Sequence, residues 1–338
     1  MILYKPKTIL ITGAAGFIGS NFVRFILANY PCIKVISLDK LTYAGNIKNL
    51  ESLRNNKDHI FIQGDICDSA LILDLLRKHE IDTVVHFAAE SHVDHSIIRP
   101  YDFIQTNIIG TFTLIEAAQS FWLKEKKWSA KNCRFHHIST DEVYGELNKT
   151  DPPFDEKKSY FPSSPYSASK AASDHLVYAY FRTYGLPITL SNCSNNYGPY
   201  QHWEKLIPTV IKCCIEQKTI PIYGDGSNIR DWLFVEDHCN AIWEILTNGK
   251  IGESYNIGGK CELDNLSLVK MICSIMNKKL SKEKSCEHLI TFVNDRPGHD
   301  FRYAIDTSKI EKELGWVPKF NLFDGLLTTI NYYLSNYS

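Results

Sequence analysis

Two adjacent carboxylates, Asp141 and Glu142, lie within the run His137-Ile138-Ser139-Thr140-Asp141-Glu142-Val143-Tyr144-Gly145. The run reads as the end of a buried strand entering a turn. Ionised neighbours repel, so one carboxyl tends to keep its proton while the other loses it. That division suits a reaction that takes a proton from one carbon and gives one to a leaving hydroxyl. The plainer reading is a strand end capped by an acidic surface turn.

A second pair stands in Pro165-Tyr166-Ser167-Ala168-Ser169-Lys170, where Tyr166 and Lys170 are four apart and share one face of a helix. A lysine cation beside a phenol, with a positive nicotinamide close by, is expected to lower the phenol's pKa. The phenolate can then accept a proton from a sugar hydroxyl while hydride leaves. Tyr and Lys on an amphipathic helix are common, so the pair takes its meaning from what lies upstream.

Upstream is Gly13-Ala14-Ala15-Gly16-Phe17-Ile18-Gly19, after the β-rich run 8–12 and before helical spacing over 20–28. Strand, glycine turn and helix make a phosphate-binding context, with the helix N-terminus offering free N–H groups to a pyrophosphate. Gly13 allows the tight turn, Gly16 the approach of phosphate, and Gly19 close helix–strand contact. Strand 34–38 ends at Asp39, 20 residues after Gly19, the spacing of a carboxylate that binds an adenosine ribose diol. An acid there disfavours a 2′-phosphate, so NAD is expected rather than NADP.

These residues need a frame. Further strands are expected over 60–66, 83–87 and 134–139, and helices over 71–79 and 103–119, the latter holding Thr106 and Asn107. Alternation of this kind over about 140 residues predicts an α/β fold with a doubly wound, Rossmann-type parallel sheet. Ligands then bind at the carboxyl ends of the strands, where Gly13, Asp39, Asp65, Ala88 and Thr140 fall. The second half reads as a helix over 206–215, strands over 220–224 and 255–259, and helices over 263–276 and 305–314. A Rossmann domain is expected over 1–190, completed by later strands near 229–258, with 191–338 forming mainly a smaller substrate-binding domain.

Composition narrows the function. The 338 residues are 44% hydrophobic and 22% charged with a formal net charge of −1, which gives no electrostatic case for nucleic acid. Lysine clusters over 124–131 and 278–284 are mixed with Glu and read as solvated faces. No apolar run reaches the ~20 residues of a membrane span, and no signal peptide is evident. The ten cysteines form no Cys-x-x-Cys pair, so they read as reduced core thiols of a cytoplasmic protein, with no metal site expected.

The chain resembles the extended short-chain dehydrogenase/reductases, and more narrowly the nucleoside-diphosphate-glucose 4,6-dehydratases. Five stretches carry the resemblance: Asp39-Lys40-Leu41-Thr42-Tyr43-Ala44-Gly45-Asn46, Ser139 to Gly145, Asn192-Cys193-Ser194-Asn195-Asn196-Tyr197-Gly198-Pro199, Ile229-Arg230-Asp231-Trp232, and Asp295-Arg296-Pro297-Gly298-His299-Asp300. The Asp-Glu pair is the most specific of them, since related epimerases and decarboxylases lack it. There are departures. Bacterial members usually carry Arg where this chain has His95, and Phe-Pro where it has His202-Trp203.

The resemblance implies a catalytic set of Thr140, Asp141, Glu142, Tyr166 and Lys170. It implies an NAD pocket of Gly13, Gly16, Phe17, Ile18 and Gly19, then Asp39, Lys40, Leu41 and Thr42, then Asp65, Ile66, Ala88, Ala89, Ser91, Thr106 and Asn196, besides Tyr166 and Lys170. For the nucleotide sugar it implies Ser91, Thr140, Asn195, Lys205 and Leu206, with Pro221, Tyr223, Arg230, Asn265, Arg296 and His299 around the nucleotide and diphosphate. The implied reaction converts dTDP-glucose or UDP-glucose to the 4-keto-6-deoxyglucose nucleotide and water, with NAD recycled, in deoxysugar biosynthesis. A C4 epimerase, a dehydratase acting on a GDP-sugar and a catalytically silent NAD-binding protein are the competing readings. A homodimer is expected through the helices near 102–119 and 167–184, which carry Phe103, Ile108, Phe112, Val177, Tyr180 and Phe181.

Overall fold

Strand β1 (Thr8–Thr12) is buried at every residue, as a strand must be when helices cover both faces of its sheet. It begins a series of strand–helix units: α1 (Phe17–Asn29), β2 (Lys34–Asp39), β3 (His59–Gln63), α2 (Ser69–Lys78), β4 (Thr83–His86), α3 (Val93–Ile98), α4 (Pro100–Phe103), α5 (Thr111–Ala118), β5 (Arg134–Thr140), α6 (Pro165–Tyr184) and β6 (Ile188–Cys193). Then follow β7 (Asn195–Tyr197), α7 (Leu206–Glu216), β8 (Ile220–Tyr223), β9 (Ile229–Phe234), α8 (Val235–Asn248), β10 (Ser254–Ile257), β11 (Glu262–Asp264), α9 (Asn265–Leu280), β12 (Ile290–Val293), α10 (Ser308–Leu314) and α11 (Leu322–Ser335). The computed structural model describes residues 4–281, 285–295 and 297–337. Arg296 and the end of the lysine cluster near 284 lie outside the described residues.

The main sheet has seven strands in the order β10-β6-β5-β4-β1-β2-β3, all parallel. Of the later strands expected to complete it, β10 does so, whereas β9 pairs with β7 and β11 in a separate three-stranded sheet. Side chains alternate across the sheet. Ile9 and Ile11 face the layer of α1 and α8 with Phe22, Val23 and Ile242, and Leu10 faces the layer of α2, α5 and α6 with Leu75, Leu114 and Val177. The back half packs its own core between α7, α9 and α11, around Ile211, Ile272 and Ile330.

Strand order reverses between β1 and β4, and that switch point opens the ligand crevice. Gly13 turns there with φ +67°, and a Cβ on it would stand 2.7 Å from the Ala88 nitrogen. A Cβ on Gly19 would stand 2.2 Å from the Gly13 carbonyl oxygen, so only glycine lets α1 start this close to β1. β3 stops earlier than expected because Asp65 folds back to accept the Cys67 N–H and Asp68 caps α2. The helix expected over 103–119 runs longer. It passes from α4 through a π-type stretch, Ile104–Gly110, into α5 and a second one, Gln119–Glu125. Phe103, Val177 and Tyr180 are buried within the chain, and exposed apolar residues on these helices include Tyr101, Ile104, Ile109, Phe112 and Tyr184, with Ile97 and Ile98 at the end of α3.

Candidate active site

A cavity of about 320 Å³ opens at the switch point and runs from the β2 end to the α6 start. Gly16 begins α1 without a side-chain cap, so the first-turn N–H groups face it, as a pyrophosphate requires. Asp39 accepts the N–H groups of Ala15 at 2.9 Å and Leu41 at 2.8 Å. Burial pushes its carboxyl up, against those N–H bonds. Asp65 pairs with Lys40 at 2.7 Å. A glycine cradle, an uncapped helix end and a buried acid where a 2′-phosphate would otherwise stand fit NAD.

Every expected cofactor residue but one lines this cavity. The exception is Leu41, whose backbone turns through φ +57° and whose N–H is held by Asp39. Thr106 reaches the wall from the π-type stretch, where such stretches often serve sites. Its neighbour Asn107 pins the wall, accepting the Glu90 N–H at 2.8 Å and donating to Ser169 on α6 at 2.8 Å.

The catalytic set converges from two elements. β5 delivers Thr140, Asp141 and Glu142, because the strand ends there and the chain turns, with the Glu142 N–H donating to Thr140 Oγ1 at 3.3 Å. α6 delivers Tyr166 in its first turn, fixed by the Ser164–Ser167 capping box and Pro165. All five residues line the cavity, which removes the surface-cap reading of the Asp-Glu turn. Asp141 is 2% exposed. One of its oxygens accepts from Thr140 Oγ1 at 3.3 Å and the other is buried without a hydrogen-bond partner. Burial, then the Glu142 charge, hold this carboxyl well above its ordinary range. The expected neutral partner of the pair is therefore Asp141.

Lys170 behaves differently from expectation. Its ammonium donates to the Ile138 carbonyl at 2.8 Å, and burial lowers its pKa. Burial and the nearby Glu142 hold the Tyr166 phenol well above 10. The lysine by itself thus does not bring the phenol down, because desolvation acts on both groups.

Behind Lys170 lies a carboxylate that sequence reasoning missed. Asp174 is fully buried, accepts from Ser139 at 2.7 Å and Tyr160 at 3.0 Å, and stands 3.1 Å from His137 Nε2. Burial raises it to about 6, with the Lys170 charge opposing. Tyr166, Lys170 and Asp174 recur every four residues, so the signal was present as one helix face.

Of the expected substrate residues, Ser91, Thr140, Asn195 and Lys205 line the cavity, and Leu206, Pro221, Tyr223, Arg230, Asn265 and His299 do not. Arg230 is buried on the Tyr303 ring at 4.4 Å and donates to the carbonyls of Ile229, Phe301 and Asp300. Tyr223 and His299 meet edge-on at 6.3 Å beside the β8–β12 pair, with His299 on Asp295 at 2.6 Å. Asn265 starts α9, its N–H on the Asn228 carbonyl at 3.0 Å.

Comparison with known proteins decides among the competing readings. The family model described as GDP-mannose 4,6 dehydratase matches residues 10–329. The chain belongs to this nucleotide-sugar dehydratase family. It is 53% identical over 334 residues to the dTDP-glucose 4,6-dehydratase of Haemophilus influenzae, covering 98% of each. It is 52% identical over 340 residues to that of Escherichia coli, covering 97% of this chain and 94% of the relative. Among solved structures, a dTDP-glucose 4,6-dehydratase of Streptomyces venezuelae with NAD bound superposes with a TM-score of 0.88 at 44% identity, covering 97% of each chain. A UDP-glucose 4-epimerase of Thermotoga maritima superposes almost as well, at 0.85, but is 28% identical, with 98% of this chain and all of that one covered. The fold is thus shared across dehydratases and epimerases, and the site residues distinguish them.

Proposed function

We propose that the protein is an NAD-dependent dTDP-glucose 4,6-dehydratase, a hydro-lyase of deoxysugar biosynthesis. The observation that carries this reading is the Asp141–Glu142 pair in the wall of the same cavity as Tyr166 and Lys170. An epimerase has no use for an acid–base pair there. The relatives that match at 52–53% over nearly full length are named for dTDP-glucose, which favours that nucleotide over GDP.

Bound NAD supplies the hydride acceptor for C4, the hydride returned to C6, and a cationic ring beside the phenol. Tyr166 takes the C4 hydroxyl proton while Thr140 orients that oxygen. The ketone that results makes the C5 proton acidic, and Glu142 removes it as a carboxylate. Asp141, kept protonated by burial, gives its proton to the C6 hydroxyl, which leaves as water. Glu142 then returns its proton to C5. The Thr140 hydroxyl, bonded to Asp141, stands where it can pass the Tyr166 proton back to the acid.

Tyr101, at 67% exposed, Ile104, Ile109 and Phe112 are exposed along one continuous helix, and Ile98, at 75%, ends α3 just before it. A strip of this kind supports a homodimer in which these helices pair with their symmetry mates. Ten free cysteines, and no helix among the described residues long and apolar enough to cross a membrane, accord with a cytoplasmic enzyme. The direct test incubates purified protein with dTDP-glucose, UDP-glucose and GDP-mannose and follows the 4-keto product. Preferred turnover of dTDP-glucose without net NAD consumption is expected. Epimerised product with no water loss would overturn the reading.

A further inference from the structure

The rim of the cavity holds a group of side chains that this chemistry does not use. His92 caps the start of α3 and His95 follows one turn on, so both imidazoles share a face. Their rings stack at 4.3 Å with 21° between the planes. Glu204 arrives from the loop after β7, with Oε1 3.9 Å from His92 Nε2 and Oε2 3.5 Å from His202 Nδ1. One ligand atom each from His92, His95 and Glu204 all lie within 4.8 Å of one another. Ligands held at ~2.0–2.2 Å around a tetrahedral zinc stand roughly 3.5 Å apart. Side-chain rotations of about an ångström close that difference.

A further observation points to an ion. His92 Nδ1 is buried with no hydrogen-bond partner, while Asp94 Oδ2 stands 3.9 Å away, the placing of a carboxylate behind a metal-bound imidazole. Lys205 lies close by, with its ammonium donating to the Ser91 carbonyl at 3.3 Å.

We propose that His92, His95 and Glu204 bind a divalent transition metal of the imidazole-preferring class, zinc above all, with His202 in reach as a fourth ligand. The ion ties the 202–205 loop to the start of α3. Tyr43, edge-on to His95 at 5.0 Å and to His202 at 6.2 Å, adds the 42–45 loop. All three segments border the cofactor cavity, so the ion acts as a clip across its mouth and slows release of the dinucleotide. The clip rests on the reading of the cavity as an NAD site. The ion site does not.

The test uses the full chain, stripped by chelator and desalted, and titrated with Co²⁺. One ion per chain is expected, with ligand-field bands of nitrogen and oxygen ligation, displaced by Zn²⁺. His95 is exposed and does not line the cavity, so His95→Ala should fold as the parent does, checked by its melting curve. It should weaken Co²⁺ binding by ~10-fold or more, since even losses behind a ligand reach that size. No binding by the parent below ~100 μM, a thiolate charge-transfer band from the cysteines, or equal binding by His95→Ala would overturn the site. Zn²⁺ should also slow loss of bound NAD from the parent and not from His95→Ala. Equal loss rates with an intact Co²⁺ site would overturn the clip alone.

Discussion

Replacing Asp141 with Asn should separate activity from stability in opposite directions. The amide has nearly the same volume, and the carboxyl it replaces makes one long hydrogen bond, from Thr140 at 3.3 Å. Such a bond contributes only about 0.5–1.5 kcal/mol, and the amide oxygen can still accept it. What changes is the proton. Asp141 titrates in the ordinary carboxylate range when unfolded and well above it when folded. The folded chain therefore binds more protons, and its stability falls as pH rises from about 4 toward the folded pKa. Asn has no such dependence. The melting temperature of Asp141→Asn relative to the parent should rise as pH increases from about 4 toward the folded pKa of Asp141. Activity should go the other way, since loss of the acid for the C6 hydroxyl slows water loss by ~10²–10⁴-fold, or about 3–5 kcal/mol of barrier. Thermal melts across pH and single-turnover formation of the 4-keto-6-deoxy product measure the two effects. A flat or falling stability difference would refute the buried, protonated acid. Turnover within a few-fold of the parent would refute its role.

Glu142→Gln leaves Tyr166 and the cofactor cradle in place but cannot take the C5 proton. Exchange of that hydrogen with deuterated solvent should vanish by mass spectrometry while reduced-nicotinamide absorbance persists; exchange at the parental rate would count against it. Gly19→Ala puts a methyl 2.2 Å from the Gly13 carbonyl oxygen, over an ångström inside normal contact. It should cost about 1–3 kcal/mol or more and lose the nicotinamide that otherwise copurifies, read from the melting temperature and the absorbance of the isolated protein. Phe112→Asp charges an exposed position of the apolar strip, so light scattering at micromolar concentration should fall from twice 38.7 kDa to once that mass. An unchanged dimer would place the interface elsewhere.

Much of this molecule was legible in the sequence because its information is local. A glycine's turn, an acid 20 residues on, and a Tyr and Lys one helical turn apart each follow from the geometry of a single element. Alternating apolar strands and helices then dictate the parallel sheet, and the sheet dictates that its carboxyl ends meet the ligand. What needed tertiary structure depends on residues far apart in the chain. Whether Asp141 is a surface cap or a buried acid is decided by packing, with Asp231 and Arg230, some 90 residues on, adding to the field around it. Arg230 was expected around the nucleotide and diphosphate, yet the carbonyls of Asp300 and Phe301 accept from its guanidinium. The loop before Tyr166 takes its register from a distant segment, with the N–H groups of Leu147 and Phe154 donating to the carbonyls of Arg302 and Ala304. The Lys170 charge was expected to act on the phenol, but burial, which has no one-residue signature, is the largest influence on both groups. Glu204 stands over 100 positions from His92 and His95 in the chain, and only the fold brings it to their rim.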